Sequence, residues 1–242
     1  GGQFPTPADF HDPLIRANLA APGGFVVYPL NRYHYRTVNY FAKEPSPAAP
    51  SSDNLLGTDD KGRDLLARLV YGFRVSVVFA LLVAGLCTVL GVLYGAIQGY
   101  FAGWTDIAME RFREIWGSMP QLYMLIIFAA LFFPSFSLLV ILLSLFGWLG
   151  LASYVRAEFL RNRTLDYVRA ARAKGLSELA VLFRHVLRNG MIPILTGVVV
   201  AIPTLFIGSL VMESFFGIPG LGSYTIDAIG SQDFAVVRSM VF

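Results

Sequence analysis

The side chains able to transfer protons, attack a carbonyl or hold a metal are few in this 242-residue chain. Its three histidines, His11, His34 and His185, all fall in polar stretches. The serines Ser76, Ser144 and Ser209 sit in or beside apolar runs, with no histidine at the same depth to act as base. The single cysteine, Cys87, lies inside an apolar run, which leaves no disulfide framework and no thiolate metal site. The aspartates of Gly57-Thr-Asp-Asp-Lys-Gly-Arg-Asp64 do not follow an EF-hand spacing, and two cations interleave them. Thr58 or Asp59 suits the cap of a helix instead. No Gly-x-x-x-x-Gly-Lys-Ser/Thr loop is present, and Gly217-Ile-Pro-Gly-Leu-Gly222 lacks the lysine. The pattern is that of a chain without catalytic residues or a metal site; if ATP drives it, another chain binds the nucleotide.

The elements around these residues belong to a membrane protein. The composition is 55% hydrophobic and 14% charged, with mean hydropathy +0.60, against about 25% charged for soluble domains. The apolar runs predict an all-α integral membrane chain with four spans at about 75–98, 115–133, 136–155 and 191–212. The second contains Pro120, and the fourth contains Pro193 and Pro203, which predict kinks. Residues 1–56 form a proline-rich loop ordered by aromatics such as Tyr33, Tyr35 and Tyr40. Residues 57–74 form an amphipathic segment lying along the interface, and 75–242 form the membrane core. The chain opens without methionine and stops inside an apolar stretch, as a fragment would.

Charge sets the orientation. Ser153–Gly190 carries eight Lys/Arg and three acidic residues, whereas the Pro134 turn carries no charge and only Arg238 is positive after Met212. The positive-inside rule therefore places the 156–190 loop in the cytoplasm and residues 1–70 and 213–242 outside. The formal charge of +3 is dispersed by loop rather than gathered on a nucleic-acid-binding face. No span centre carries an ionisable group, which argues against ion-coupled transport. Glu213, at the outer end of the last span, reads as an interface residue or as part of a translocation path. Small residues at Cys87, Gly91, Gly95 and Gly99 predict a close-packing helix face, within the chain or between two copies.

Within the basic loop, Ala170, Ala171 and Ala173 predict a thin helix able to nest in a groove. Arg172 and Lys174 occupy its last turn, and Gly175 suits the positive φ of a C′ residue. A second amphipathic helix then leads back to the membrane. Such a loop is suited to being gripped by a cytoplasmic partner; a loop that only binds anionic headgroups is the alternative.

These residues resemble the signature loop of the inner-membrane permeases of binding-protein-dependent ABC importers, which runs Glu-Ala-Ala, three residues, Gly, nine residues, Ile-x-Leu-Pro. Ala170, Ala171, Gly175 and Leu187 match, while Arg169, His185 and Arg188 replace the Glu, Ile and Pro. Those departures are similar to the peptide and nickel branch, as are Gly57–Asp64, Tyr71-Gly-Phe-Arg-Val-Ser76 and Gly99-Tyr-Phe-Ala-Gly-Trp104. Arg111–Pro120 and the proline-rich start look most like the oligopeptide and microcin C permease subgroup, and Glu213–Gly222 looks more like other peptide permeases.

The resemblance implies a type I ABC importer transmembrane domain of about six helices, four of them seen here, in a bacterial inner membrane. It further implies a coupling loop at Arg169, Ala170, Ala171, Arg172, Lys174, Gly175, His185 and Leu187. The implied partners are cytoplasmic ATPase subunits that hold ATP and Mg, a homologous second permease and a periplasmic peptide-binding protein. A permease for another solute such as nickel, or a channel or scaffold with a lipid-binding loop, are the alternatives. A coupling loop should fail when Gly175 becomes bulky and should uncouple when Ala171 becomes charged, whereas a lipid-binding loop should respond to loss of Arg and Lys.

Overall fold

The computed structural model describes residues 12–19, 29, 31–40 and 44–241, without the side chains of residues 13, 16, 206–210 and 241. His11, Pro5, Pro7, Pro22 and the side chain of Ser209 lie outside the described residues. The regular structure is helical: α1 (Pro13–Leu19), α2 (Leu65–Phe101), α3 (Gly103–Gly117), α4 (Gln121–Leu131), α5 (Phe136–Asn162), α6 (Asp166–Ala173), α7 (Glu178–Val181), a π-helical turn (Leu182–Leu187), α8 (Arg188–Phe215), α9 (Leu221–Gly230) and α10 (Phe234–Val241). Two compact units result, residues 1–75 with 219–242 and residues 76–218.

The first unit is organised by polar contacts. Asp59 is 1% exposed. Its carboxylate accepts from the backbone N–H groups of Lys61 (3.0 Å) and Arg63 (2.8 Å), from Arg63 Nε (2.8 Å) and from the Arg68 guanidinium. Arg68 is buried as well and lies 4.0 Å from the centre of the Tyr224 ring. Asp64, rather than Thr58 or Asp59, caps α2: Oδ2 accepts from Ala67 N at 2.7 Å. Asn31 and Asn54 donate to the same carboxylate at 2.8 Å each. Thr58 instead bonds Ala48 through both its N–H and its hydroxyl. Asp233 accepts from Val236 N at the start of α10 and from Asp60 N, which ties the aspartate-rich turn to the C-terminal segment. Tyr35 stacks on Tyr71 at 3.7 Å and Tyr33 is buried, but Tyr40 is 82% exposed. The proline-rich segment also contains a helix, α1, started by Asp12 accepting from Leu14 N.

No break separates the amphipathic Leu65–Tyr71 stretch from the span that follows. α2 runs 37 residues, about 56 Å at 1.5 Å per residue, and outruns a hydrocarbon core of about 30 Å. α5 likewise continues seven residues past its expected end, to Asn162, beginning at Ser135, whose hydroxyl accepts from Leu138 N. α8 incorporates Pro193 and Pro203 without interruption.

The stretch 115–133, expected as one span, falls on two helices. α3 ends at Gly117 and α4 begins at Gln121, with a 66° bend between them. Proline offers no N–H and disfavours helix in the residue before it, so Pro120 opens α4 rather than sitting inside it. At 11 residues α4 is too short to cross alone. Among the described residues three helices are long and apolar enough to span, or four if the bent pair counts as one. Glu213 is fully buried near the end of α8, not open at an interface.

In the second unit α2 and α5 approach closely along the small-residue face. A Cβ on Gly95 would sit 2.4 Å from Ala152 O, one on Gly99 2.5 Å from Arg156 O, and one on Gly91 3.0 Å from Leu151 Cβ. The face is filled by α5 of the same chain. Lipid tails are as apolar as side chains, so this contact gains from packing rather than from water release. α3 is fixed to α5 by polar bonds: Arg156 grips Asp106 with two at 2.5 and 2.6 Å, and Trp116 Nε1 donates to Leu145 O.

Two variants report on these contacts. Gly95→Ala should destabilise the protein in detergent by about 1–3 kcal/mol, the cost of overpacking. Gly85→Ala, on the same helix with no neighbour within 4 Å, should be neutral or stabilising by up to about 1 kcal/mol. Equal melting temperatures for the two would refute the close approach. In the first unit, Asp59→Ala leaves Arg68 buried without its counter-charge, so unfolding should come about 3–5 kcal/mol earlier, read as a lowered denaturation midpoint.

Candidate functional site

α6 is eight residues of Asp-Tyr-Val-Arg-Ala-Ala-Arg-Ala. Its apolar positions Val168 and Ala171 are three apart and therefore share a face. Both are buried, at 0% and 4% exposure, in a cluster with Ala96, Tyr100, Val155, Phe159, Val181, Leu182, Val186 and Ile194. Ala171 thus points inward, so a charge there tests the core and not an outer surface. Arg169, Ala170, Ala173 and Lys174 are exposed. They give the outward side of α6 a low, small-residue profile with cations at its edges. The Arg169–Asp166 pair, 3.6 Å apart and almost fully solvated, adds little.

The end of α6 follows from Gly175. Its φ is +78°, and its N–H donates to Arg172 O at 2.9 Å while Leu176 N donates to Ala171 O at 3.4 Å. This pair of bonds is the Schellman stop, with glycine at C′. The space beyond Gly175 is open, so backbone conformation and not crowding selects glycine here. Ser177 then starts α7 by accepting from Ala180 N.

Arg172 turns back toward the protein. Its guanidinium donates from Nη2 to Glu178 Oε2 (3.1 Å) and to the Tyr100 hydroxyl (3.2 Å), and its Nε lies 3.1 Å from Glu178 Oε1. Tyr100, near the end of α2 and 3% exposed, donates its hydroxyl to the same Glu178 carboxylate. Arg163 Nη1 donates to Tyr100 O at 3.0 Å, and Tyr167 OH to Asn162 Oδ1 at 3.0 Å. The Arg172 guanidinium is held still more firmly in its charged form by its bonds to Tyr100 and Glu178.

The expected site residues are therefore divided. Arg169, Ala170, Lys174 and Gly175 share one exposed surface; Ala171 and Arg172 fasten that surface to the protein. His185 is half-buried on the π-helical turn, and Leu187 packs against the buried cluster. Tyr100, Arg163 and Glu178 complete the attachment and were not singled out by the sequence. Leu176, Leu179 and Phe183 extend the exposed region with apolar side chains.

Residues 88–242 match the family model of the binding-protein-dependent transport system inner membrane component. The chain is 40% identical over 245 residues to the peptidoglycan transport system permease protein YejE of Agrobacterium fabrum, covering 91% of this chain and 63% of that protein. It is 42% identical over 196 residues to the inner membrane ABC transporter permease protein YejE of Escherichia coli, covering 81% and 57%. Identity to the oligopeptide transport system permease protein OppC of Bacillus subtilis is 33% over 220 residues, covering 86% and 70%. The chain spans about three fifths of the length of the two YejE proteins.

The Gly175 geometry makes a graded series informative. Gly175→Val and Gly175→Ala should loosen the end of α6 by about 1–2 kcal/mol, the cost of a left-handed conformation for an ordinary residue. Gly175→Asn should stay near the parent, because asparagine tolerates that region. Protease cleavage between 174 and 179 measures the loosening, and equal cleavage of the alanine and asparagine variants would contradict the turn.

Proposed function

The chain belongs to the family of binding-protein-dependent transport system inner membrane components, and we propose that it serves as a permease subunit of an ATP-driven peptide importer. It is a multi-pass protein of the bacterial inner membrane. In this reading it contributes half of a translocation path, lined jointly with a homologous permease. It performs no catalysis of its own; ATP and Mg are held by separate cytoplasmic ATPase subunits. A periplasmic peptide-binding protein delivers the substrate. The names carried by the YejE and OppC relatives favour peptides or peptide-containing cell-wall fragments as the solute class over nickel.

The observation that carries this reading is the outward face of α6. Ala170 and Ala173 leave a shallow ridge that fits a cleft, Arg169 and Lys174 flank it, and Val168 and Ala171 anchor it underneath. A load applied to such a helix reaches the spans through the buried cluster, which contains Ala96 of α2, Val155 and Phe159 of α5 and Ile194 of α8. Closure of two ATPase subunits on ATP would move α6 and tip the spans from one access state to the other. The size of the shift is set by how differently ATP and the loaded binding protein bind the two states.

Ala170→Arg and Ala173→Arg test the docking directly, since both positions are exposed and arginine keeps helix propensity close to alanine. On purification of the full-length protein in mild detergent, each variant should lose at least about tenfold in co-purifying ATPase, the effect expected of a charge forced into a packed interface. Peptide uptake should fall in parallel. Full retention of the ATPase by both variants would overturn the reading. Loss of membrane attachment of the loop on Arg169→Gln with Lys174→Gln, with ATPase unchanged, would favour a lipid-binding loop.

A further inference from the structure

We propose that Tyr100, Arg172 and Glu178 form a polar joint through which a displacement of α6 is passed to the adjoining end of α2, an inference that rests on the docking of α6 proposed above. The apolar attachment of α6 is narrow. Only Val168 and Ala171 are fully buried on it, and contacts between smooth apolar surfaces resist separation better than they resist sliding, because dispersion depends weakly on direction. Hydrogen bonds are directional and weaken steeply when bent. A planar guanidinium that holds two partners at once fixes both position and angle.

Arg172 supplies that directional link. It reaches Glu178 with two nitrogens and the Tyr100 hydroxyl with one, and its charge centre lies 5.5 Å from the Tyr100 ring centre. The Tyr100 hydroxyl closes the triangle onto Glu178. The three groups come from α6, α7 and α2, so the joint crosses the whole Gly175 turn before it reaches α2. Arg163, just ahead of α6 in the chain, donates to the carbonyl of the same Tyr100. One residue of α2 is thus held twice, at its main chain by Arg163 and at its side chain by Arg172.

A surface ion pair alone would not have this role. Arg172 and Glu178 have side chains 38% and 54% exposed, and such a pair contributes little on its own. The distinguishing member is Tyr100, which is 3% exposed and belongs to the same buried cluster as Ala96, Val155, Phe159 and Val168 while its hydroxyl meets the loop. A ring so confined cannot follow Arg172 by rotating freely; it transmits the pull to the helix that carries it.

The test uses the complete importer, purified with its ATPase and binding protein and reconstituted in proteoliposomes, with a labelled peptide mixture as probe. Tyr100→Phe removes only the hydroxyl and keeps the packed ring. The expected result is unchanged ATPase co-purification and ATP hydrolysis within about twofold, while peptide taken up per ATP hydrolysed falls roughly 2- to 30-fold, the range over which single residues alter coupling. Arg172→Glu should give a similar loss, and pairing it with Glu178→Arg should restore part of the ratio. A parent complex that couples normally, with a Tyr100→Phe variant equal to it in uptake per ATP, would overturn the joint and leave the docking of α6 standing. A parent protein that retains no ATPase would instead count against the docking. A Tyr100→Phe variant with a lowered melting temperature and proportionate loss of both hydrolysis and uptake would show a purely structural role and would also overturn the joint.

Discussion

The position of every feature of the signature loop depends on how closely α2 and α5 approach. In hydrocarbon there is little gain from hiding one apolar surface against another, so helices hold together by the fit of their atoms. Gly95 and Gly99 bring the backbone of α2 against the Ala152 and Arg156 carbonyls. That contact sets Val155 and Phe159 beside Ala96 and Tyr100. Those four side chains share one buried cluster with Val168 and Ala171 of α6. A methyl group added at the glycines would therefore be felt twice, once in the helix pair and again in the loop above it.

The unit formed by residues 1–75 and 219–242 is held by different forces. Among its described residues one apolar cluster has Leu65, Ala228 and Val236 buried with Val237 and Met240 packed against them. Its order comes from carboxylates that saturate themselves with donors: Asp59 gathers two arginines and two backbone N–H groups, Asp64 caps α2 while receiving two asparagines, and Asp233 caps α10. Removing any one of these acids strands several donors at once, and buried donors without partners are costly. The aspartates of the 57–64 run thus act as turn and cap residues. Burial also pushes the Tyr224 hydroxyl up to about 12, so the ring beneath Arg68 stays neutral well into alkaline solution.

Local signals were the most legible in the sequence. The stop of α6 at Gly175 could be read from one glycine after a helical run, because the left-handed C′ conformation is a property of that residue alone. The entry of α5 was similarly marked by Pro134 and Ser135. Signals that needed a second segment were not legible. Thr58, Asp59 and Asp64 are all competent caps, and the choice of Asp64 depends on Ala48 engaging Thr58, on Arg63 and Arg68 engaging Asp59, and on Asn31 and Asn54 holding the Asp64 carboxylate in place. Pro120 was visible, but whether a proline kinks a span or ends one helix and starts another is decided by its neighbours. Tyr100 and Arg172 meet across 72 residues, a separation that no spacing rule covers. The inward direction of Ala171 was readable from its three-residue spacing to Val168, but three alanines together masked it.

The π-helical turn at Leu182–Leu187 settles a problem of rotational phase. Residues five apart on a regular α-helix point about 140° away from each other, yet Val181 and Val186 are both wholly buried in one cluster. Widening the turn brings them back to the same side. The loop below and the span above can each present the face that its own surroundings demand, although they belong to one unbroken rod. Without the widened turn, a sequence tuned to seat α7 would aim α8 in the wrong direction, and one tuned to seat α8 would lift α7 off its floor.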